Sequence, residues 1–176
     1  MTTEVLPCLL LPLQEKNILL PSSAIAEIIP YEKPKTTPDI PKWLLGILNW
    51  RGINIPLVLL EKIESHLVWN MQTSEDAMED PTRKHHIAIL NRTYKIQSDG
   101  NNQYPFFSVV LKNVPKLYRI SSEGVKMVNQ YSETDSRFIM EVKVQNDYAF
   151  IPDLSSLWKM IDALPSRLQW FRQIVL

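Results

Sequence analysis

The chain has 176 residues, of which 45% are hydrophobic and 22% charged, with 19 basic and 19 acidic side chains that cancel at neutral pH. That balance is the mark of a globular protein rather than a disordered one, and with no net charge and no run of five basic residues it argues against nucleic acid as a partner. No apolar run reaches the ~18 residues a bilayer span needs, the N-terminus lacks a secretory pattern, and the lone Cys8 permits no internal disulfide; the expected location is cytoplasmic, without direct membrane insertion.

Taken in chain order, residues 7–13 and 18–20 are short apolar stretches joined by the polar connector 14–17, which is a first hairpin. Pro21, Ser22 and Ser23 supply a capped start for one helical turn to Ala26, and Ile28, Ile29 and Tyr31 are extended again, with Pro30 marking an edge. Residues 32–42, with three prolines and two adjacent threonines, have the composition of a surface loop. Residues 44–60, LLGILNWRGINIPLVLL, form a second hairpin: two aliphatic runs flank a turn at Asn49, Trp50, Arg51 and Gly52, and Pro56 restricts its strand to an edge or a strand start. A brief helical stretch is expected over 61–66 and a mobile insertion over 65–83.

Residues 85–90, 106–111 and 138–144 are expected strands, with turns at 100–103 and 146–147. From Asp153 the period changes: Leu154, Leu157, Trp158 and Ile161 form one helical stripe that Asp153 can cap and Pro165 stops. Ser166 and Gln169 have capping-box spacing for a last helix carrying Leu168, Phe171, Ile174 and Val175 on one side. The fold class is therefore mainly β, with short helices over 153–176. Two strand–turn–strand patterns, ending at Leu60 and Leu157, point to two similar halves.

Motifs for chemistry are missing. His85 and His86 are adjacent, so a strand points them to opposite faces, and His66 has no ligand spacing around it; no metal site is expected. With four glycines the chain has no phosphate-binding loop, and it has no nucleophile elbow. Asp39, Glu61, Glu64 and Asp153 lie in no pattern that tunes a carboxyl group, so no catalytic residue and no cofactor are expected. Arg51 is the sharper candidate, because a guanidinium on a rigid turn can make a bidentate contact with a partner carboxylate; an internal brace between neighbouring loops is the other reading of the same residue. Trp50, Ile53 and Ile55 are candidate apolar contacts beside it. Two alternatives stay open: a small β-barrel ligand-binding protein or enzyme with a pocket near His85 and His86, and a module that pairs with itself through its last helix.

The central stretch resembles the motif of the CheW family of chemosensory adaptors, G-V-x-N-x-R-G-x-x-x-P-V-x-D-L, matched by Gly46, Asn49, Arg51, Gly52, Pro56 and Leu60. Residues 18–29 and 149–157 are similar to the family's opening and closing segments. Leu59 stands at the motif's aspartate, residues 106–114 lack the family's glycine and valine–aspartate, and 65–83 is added; in this the chain is most similar to divergent members of the ChpC or PilI kind from type IV pilus chemosensory systems. The resemblance implies one domain over 1–176, made of two small SH3-like five-stranded β-barrels packed on a shared core. It implies a non-enzymatic adaptor or scaffold joining a chemoreceptor's cytoplasmic tip to the regulatory domain of a CheA-like histidine kinase, in chemotaxis or twitching motility. By the same resemblance the partner contacts fall on Arg51, Asn49, Gly52, Trp50, Ile53 and Ile55. Homo-oligomer formation is left open.

Overall fold

A computed structural model describes residues 4–63, 85–92, 104–131 and 137–164. In chain order its strands are β1 (Val5–Pro12), β2 (Asn17–Pro21), β3 (Ile25–Pro30), β4 (Leu44–Trp50), β5 (Ile53–Val58), β6 (His86–Asn91), β7 (Phe106–Leu111), β8 (Lys116–Ser121), β9 (Val125–Gln130), β10 (Phe138–Val144) and β11 (Asp147–Pro152), followed by helix α1 (Leu154–Asp162). They form two small SH3-like barrels. The middle of the chain builds a five-stranded sheet, β3-β6-β7-β5-β4, and the two ends together build a six-stranded one, β8-β1-β2-β11-β10-β9.

The two sheets repeat one pairing scheme. In the first, hairpin β4–β5 lies parallel to β7, which pairs with β6, which pairs with β3. In the second, hairpin β10–β11 meets β2 in parallel, β2 pairs with β1, and β1 with β8. β9 is the additional strand, on the far side of β10. Each leading hairpin runs into a helical turn, a 3₁₀ turn at Leu60–Lys62 and α1 respectively, which is the repeat marked in sequence at Leu60 and Leu157.

Strands in the middle of the molecule are buried on both faces and so read as unbroken apolar runs rather than alternating ones. In β1, Cys8 and Leu10 fill the interior of the six-stranded barrel, while Leu11 turns the other way into a core shared with Val58, Ala88, Phe107 and Val109 of the five-stranded one. Helix α1 seals that shared core. Asp153 caps it by accepting from the Ser156 amide at 3.1 Å, and Trp158, fully buried, meets Phe107 edge-on at 4.7 Å. Arg92 ties the helix down: it donates to both oxygens of Asp162, at 2.6 and 3.1 Å, and lies 3.9 Å from the Trp158 ring.

Several expectations need correction. Pro56 lies in an interior strand, between β4 and β7. It is tolerated because its partner Ile47 directs both of its backbone groups outward to Lys35, at 2.8 and 2.9 Å, so the β4 ladder needs no N–H there. Parallel pairing with β7 starts only at Leu57, and the Pro56 carbonyl accepts from Ser108 Oγ at 2.9 Å. The turn after Pro21 is a 3₁₀ turn, Ser22–Ala24, without a side-chain cap. The late hairpin turns at Gln145 and Asn146, and Asp147 already belongs to β11. Strands β8 and β9 had no counterpart in the sequence reading. The insertion at 65–83, the turn at 100–103 and the last helix lie outside the described residues. Among the described residues, no helix is long and apolar enough to cross a membrane.

Candidate functional site

The central hairpin is pinned at both ends. At its base Gly46 has φ +146°, and a Cβ there would lie 2.2 Å from the Lys35 carbonyl oxygen, so only glycine lets residues 34–35 approach β4 this closely. At its tip Arg51 and Gly52 have φ of 50° and 79°, the two positive values in succession that a tight two-residue hairpin turn requires. Nothing lies within 4 Å of the place a Gly52 Cβ would take, so glycine serves conformation there and not space. Arg51 sits in a left-handed conformation that costs a branched or long side chain of order 1–2 kcal/mol; the fold holds it there through its neighbours.

Those neighbours converge on one oxygen of Glu27, on the facing edge strand β3. Trp50 Nε1 donates to Glu27 Oε2 at 2.7 Å, and Arg51 Nη2 lies 3.1 Å from the same atom. The Arg51 guanidinium lies 5.1 Å from the Trp50 ring, and Trp50 in turn packs edge-on against Phe106 at 5.0 Å. Asn49 donates to the Asn54 side chain at 3.0 Å and squares the hairpin just below. The result is a clasp between β3 and β4, the two edges of the five-stranded barrel. Arg51 is thus a brace that still presents itself outward: its side chain is 68% exposed, against 34% for Glu27.

The structure sorts the expected contact residues. Asn49, Arg51 and Gly52 are exposed, and Trp50 and Ile53 are partly buried. Ile55 is fully buried, packed with Leu48, Leu57 and Ile87, so it is corrected from a contact residue to a support beneath the turn. Leu59, at the motif's aspartate, is also interior, 6% exposed in that same cluster. Glu27 was missed. Its signal was a single acid inside the apolar run IAEII, but only the fold reveals that it faces a hairpin tip more than twenty residues away.

The six-stranded barrel carries a second clasp. Tyr118 donates to Asp147 Oδ2, and Lys116 Nζ lies 3.3 Å from the same oxygen. Accepting the Tyr118 hydroxyl, with Lys116 adding to the effect, holds the Asp147 carboxyl below its ordinary range, and the same bond pushes the Tyr118 phenol up. Where the barrels meet, Glu61 is buried with Oε1 accepting from the Gln14 amide at 2.8 Å and Oε2 unpartnered; burial raises its carboxyl pKa. His85 is also buried, and Gln14 Nε2 lies 3.3 Å from its Nε2. No cluster of three metal-type side chains occurs among the described residues. An apolar groove of about 420 Å³ lies in the six-stranded barrel and is lined by neither His85 nor His86.

The family model of the CheW-like domain matches residues 7–161, which takes in both barrels, both clasps and most of α1. The chain belongs to the CheW-like domain family. Among solved structures, this CheW-like chain is similar to the scaffolding protein TtCheW from Thermoanaerobacter tengcongensis, with 17% sequence identity and a TM-score of 0.60, over 85% of this chain and 89% of that one. No curated protein matches it in sequence.

Proposed function

We propose that this CheW-like chain is a non-enzymatic cytoplasmic adaptor that joins a chemoreceptor's cytoplasmic tip to the regulatory domain of a CheA-like histidine kinase. The observation that carries the reading is the Arg51 turn. A guanidinium held on one side by Glu27 and Trp50 has lost much of its side-chain freedom before docking, yet keeps its remaining donors in solvent, so a partner carboxylate gains a charge-assisted contact at reduced entropic cost. Asn49, Gly52, Trp50 and Ile53 surround it as the contact patch. Family membership and the likeness to a scaffolding protein support the reading. The interior placement of Leu59 supports a motif whose departure from the family changes packing and leaves the Arg51 face intact. A pilus-linked system of the ChpC or PilI kind is the setting we propose, on the sequence departures given above.

The test is a titration of the full chain against the kinase regulatory domain and the receptor tip, with Arg51→Ala compared with Lys126→Ala on the exposed strand β9. A loss of about 1.4 kcal/mol, tenfold in affinity, in Arg51→Ala alone supports the reading. No binding to either partner by the unaltered chain overturns it.

A further inference from the structure

The two barrels share an apolar core, and beside it a group of polar bonds crosses from one to the other at a single turn. Gln14, in the β1–β2 turn of the six-stranded barrel, is held at three atoms by the five-stranded one. Its amide N–H donates to Glu61 Oε1 at 2.8 Å, its carbonyl accepts from Lys112 Nζ at 3.3 Å, and its side-chain Nε2 lies 3.3 Å from His85 Nε2. A fourth bond runs alongside, from the Lys112 amide to the Pro12 carbonyl at 2.8 Å. Glu61 belongs to the 3₁₀ turn after β5, Lys112 follows β7 and His85 precedes β6, so three separate segments of one barrel grip one residue of the other.

We propose that Gln14 and Glu61 form a proton-operated joint between the barrels, closed while the Glu61 carboxyl is neutral and loosened when it ionises. Glu61 is 7% exposed, and its Oε2 has no hydrogen-bond partner. An ion there leaves charge buried without a donor, which costs far more than a neutral carboxyl in the same place. The surrounding groups do not cancel that cost. Lys62, on the same turn, favours the ion, and Glu15, next to Gln14, opposes it. Lys112 is engaged by the Gln14 carbonyl, His85 reaches the site through the Gln14 side chain, and Tyr31 meets the His85 ring edge-on at 6.2 Å. Burial therefore outweighs the bond from Gln14 and raises the carboxyl pKa. The ion is relieved by turning to water, a motion confined to the single 3₁₀ turn Leu60–Lys62. That motion takes Oε1 away from the Gln14 amide and slackens the other bonds held on the same residue. Closure is thus complete below the ordinary carboxylate range and is lost as pH rises through the folded value. The joint stands apart from the adaptor reading, and its test involves no partner.

The experiment is amide hydrogen exchange on the full chain from about pH 4 to about pH 8, each rate divided by the intrinsic rate at that pH. The Gln14 and Lys112 amides are the reporters, because both donate across the joint; the Leu13 amide, bonded to the Lys16 carbonyl within the turn, is the internal control. The expected result is that protection of Gln14 and Lys112 falls together, at least about threefold, as pH rises, while Leu13 holds. In Glu61→Gln, which stays neutral and keeps an oxygen for the Gln14 amide, the fall disappears. Protection that does not change with pH in the unaltered chain overturns the proposal, whether or not the variant folds. A response at Gln14 without Lys112 also overturns it, since Glu61 then serves one amide and no joint. So does a fall shared with Leu13, which marks melting of the turn, or one that persists in Glu61→Gln.

Discussion

The two clasps occupy corresponding places in the two barrels, yet their charges are exchanged. In the five-stranded barrel the carboxylate comes from the edge strand β3, as Glu27, and the aromatic donor and cation come from the hairpin tip, as Trp50 and Arg51. In the six-stranded barrel the edge strand β8 supplies aromatic and cation, Tyr118 and Lys116, while the hairpin side supplies the carboxylate, Asp147. Both turns start on a residue with positive φ, 50° at Arg51 and 52° at Gln145, but only the first continues with a second one, 79° at Gly52. Topology decides that edge strand and hairpin tip must be tied together across a barrel that has no ladder there; the sign of each partner is free to vary. Only in the five-stranded barrel does a long cation stand at the tip.

Five substitutions test this comparison, beginning with the most severe. Gly46→Ala forces a methyl group to 2.2 Å from the Lys35 carbonyl at a φ of +146°, and should cost about 3 kcal/mol. Hydrogen exchange would then accelerate in β4 and β5 and not in β10 and β11; equal acceleration would mean that the barrels do not respond separately. Trp50→Ala removes the Phe106 ring contact as well as the bond to Glu27, and should lower stability by about 2 kcal/mol in denaturant unfolding. Tyr118→Phe keeps its ring and loses one hydrogen bond, so about 1 kcal/mol or less is expected. Matching losses would show the two clasps to be built alike in energy as well as in plan.

The remaining two tests use pH. The Asp147 carboxyl is depressed in the folded chain, so its stabilisation is complete above the ordinary carboxylate range and drains away as pH falls through the folded value. Asp147→Asn should therefore flatten the acid limb of a plot of melting temperature against pH, and an unchanged limb would remove Asp147 from the clasp's energetics. Glu61 runs the other way. Its raised value favours the protonated form, so its contribution is full below the ordinary range and is lost as pH rises through the folded value. Glu61→Gln should match the parent chain in acid and exceed it in thermal stability at higher pH, a small effect localised where the barrels meet.

Much of this was legible in the chain because local chemistry and fold agree. The first hairpin, the central hairpin, β7 and β10 follow from apolar runs between turn residues, and Asp153 marks the start of α1 by a capping contact made three residues away. Strands β8 and β9 were hidden for a physical reason: they are outer strands with large apolar side chains in water, Leu117 at 62% and Met127 at 63% exposed, so hydrophobicity along them does not mark the inward face. Ile53 and Ile55 look alike in sequence and differ only in depth, since β5 is flanked on both sides and descends from an open tip into the core. The Arg51 turn could be read from its own residues. Glu27, which fixes that turn, could not, because its role exists only once β3 is brought beside β4.

The six-stranded barrel is assembled from both ends of the chain, β2 meeting β11 in parallel at Ile18 and Phe150. On the ribosome, then, the first hairpin emerges with its apolar faces exposed and must wait for nearly the whole chain before its permanent neighbours arrive, while the five-stranded barrel can close around residues already made. A product cut short between β7 and β8 keeps all five strands of the inner barrel and carries an orphaned leading hairpin with open edges. Quality control of this protein should therefore recognise its incomplete chains at their beginning rather than at the break.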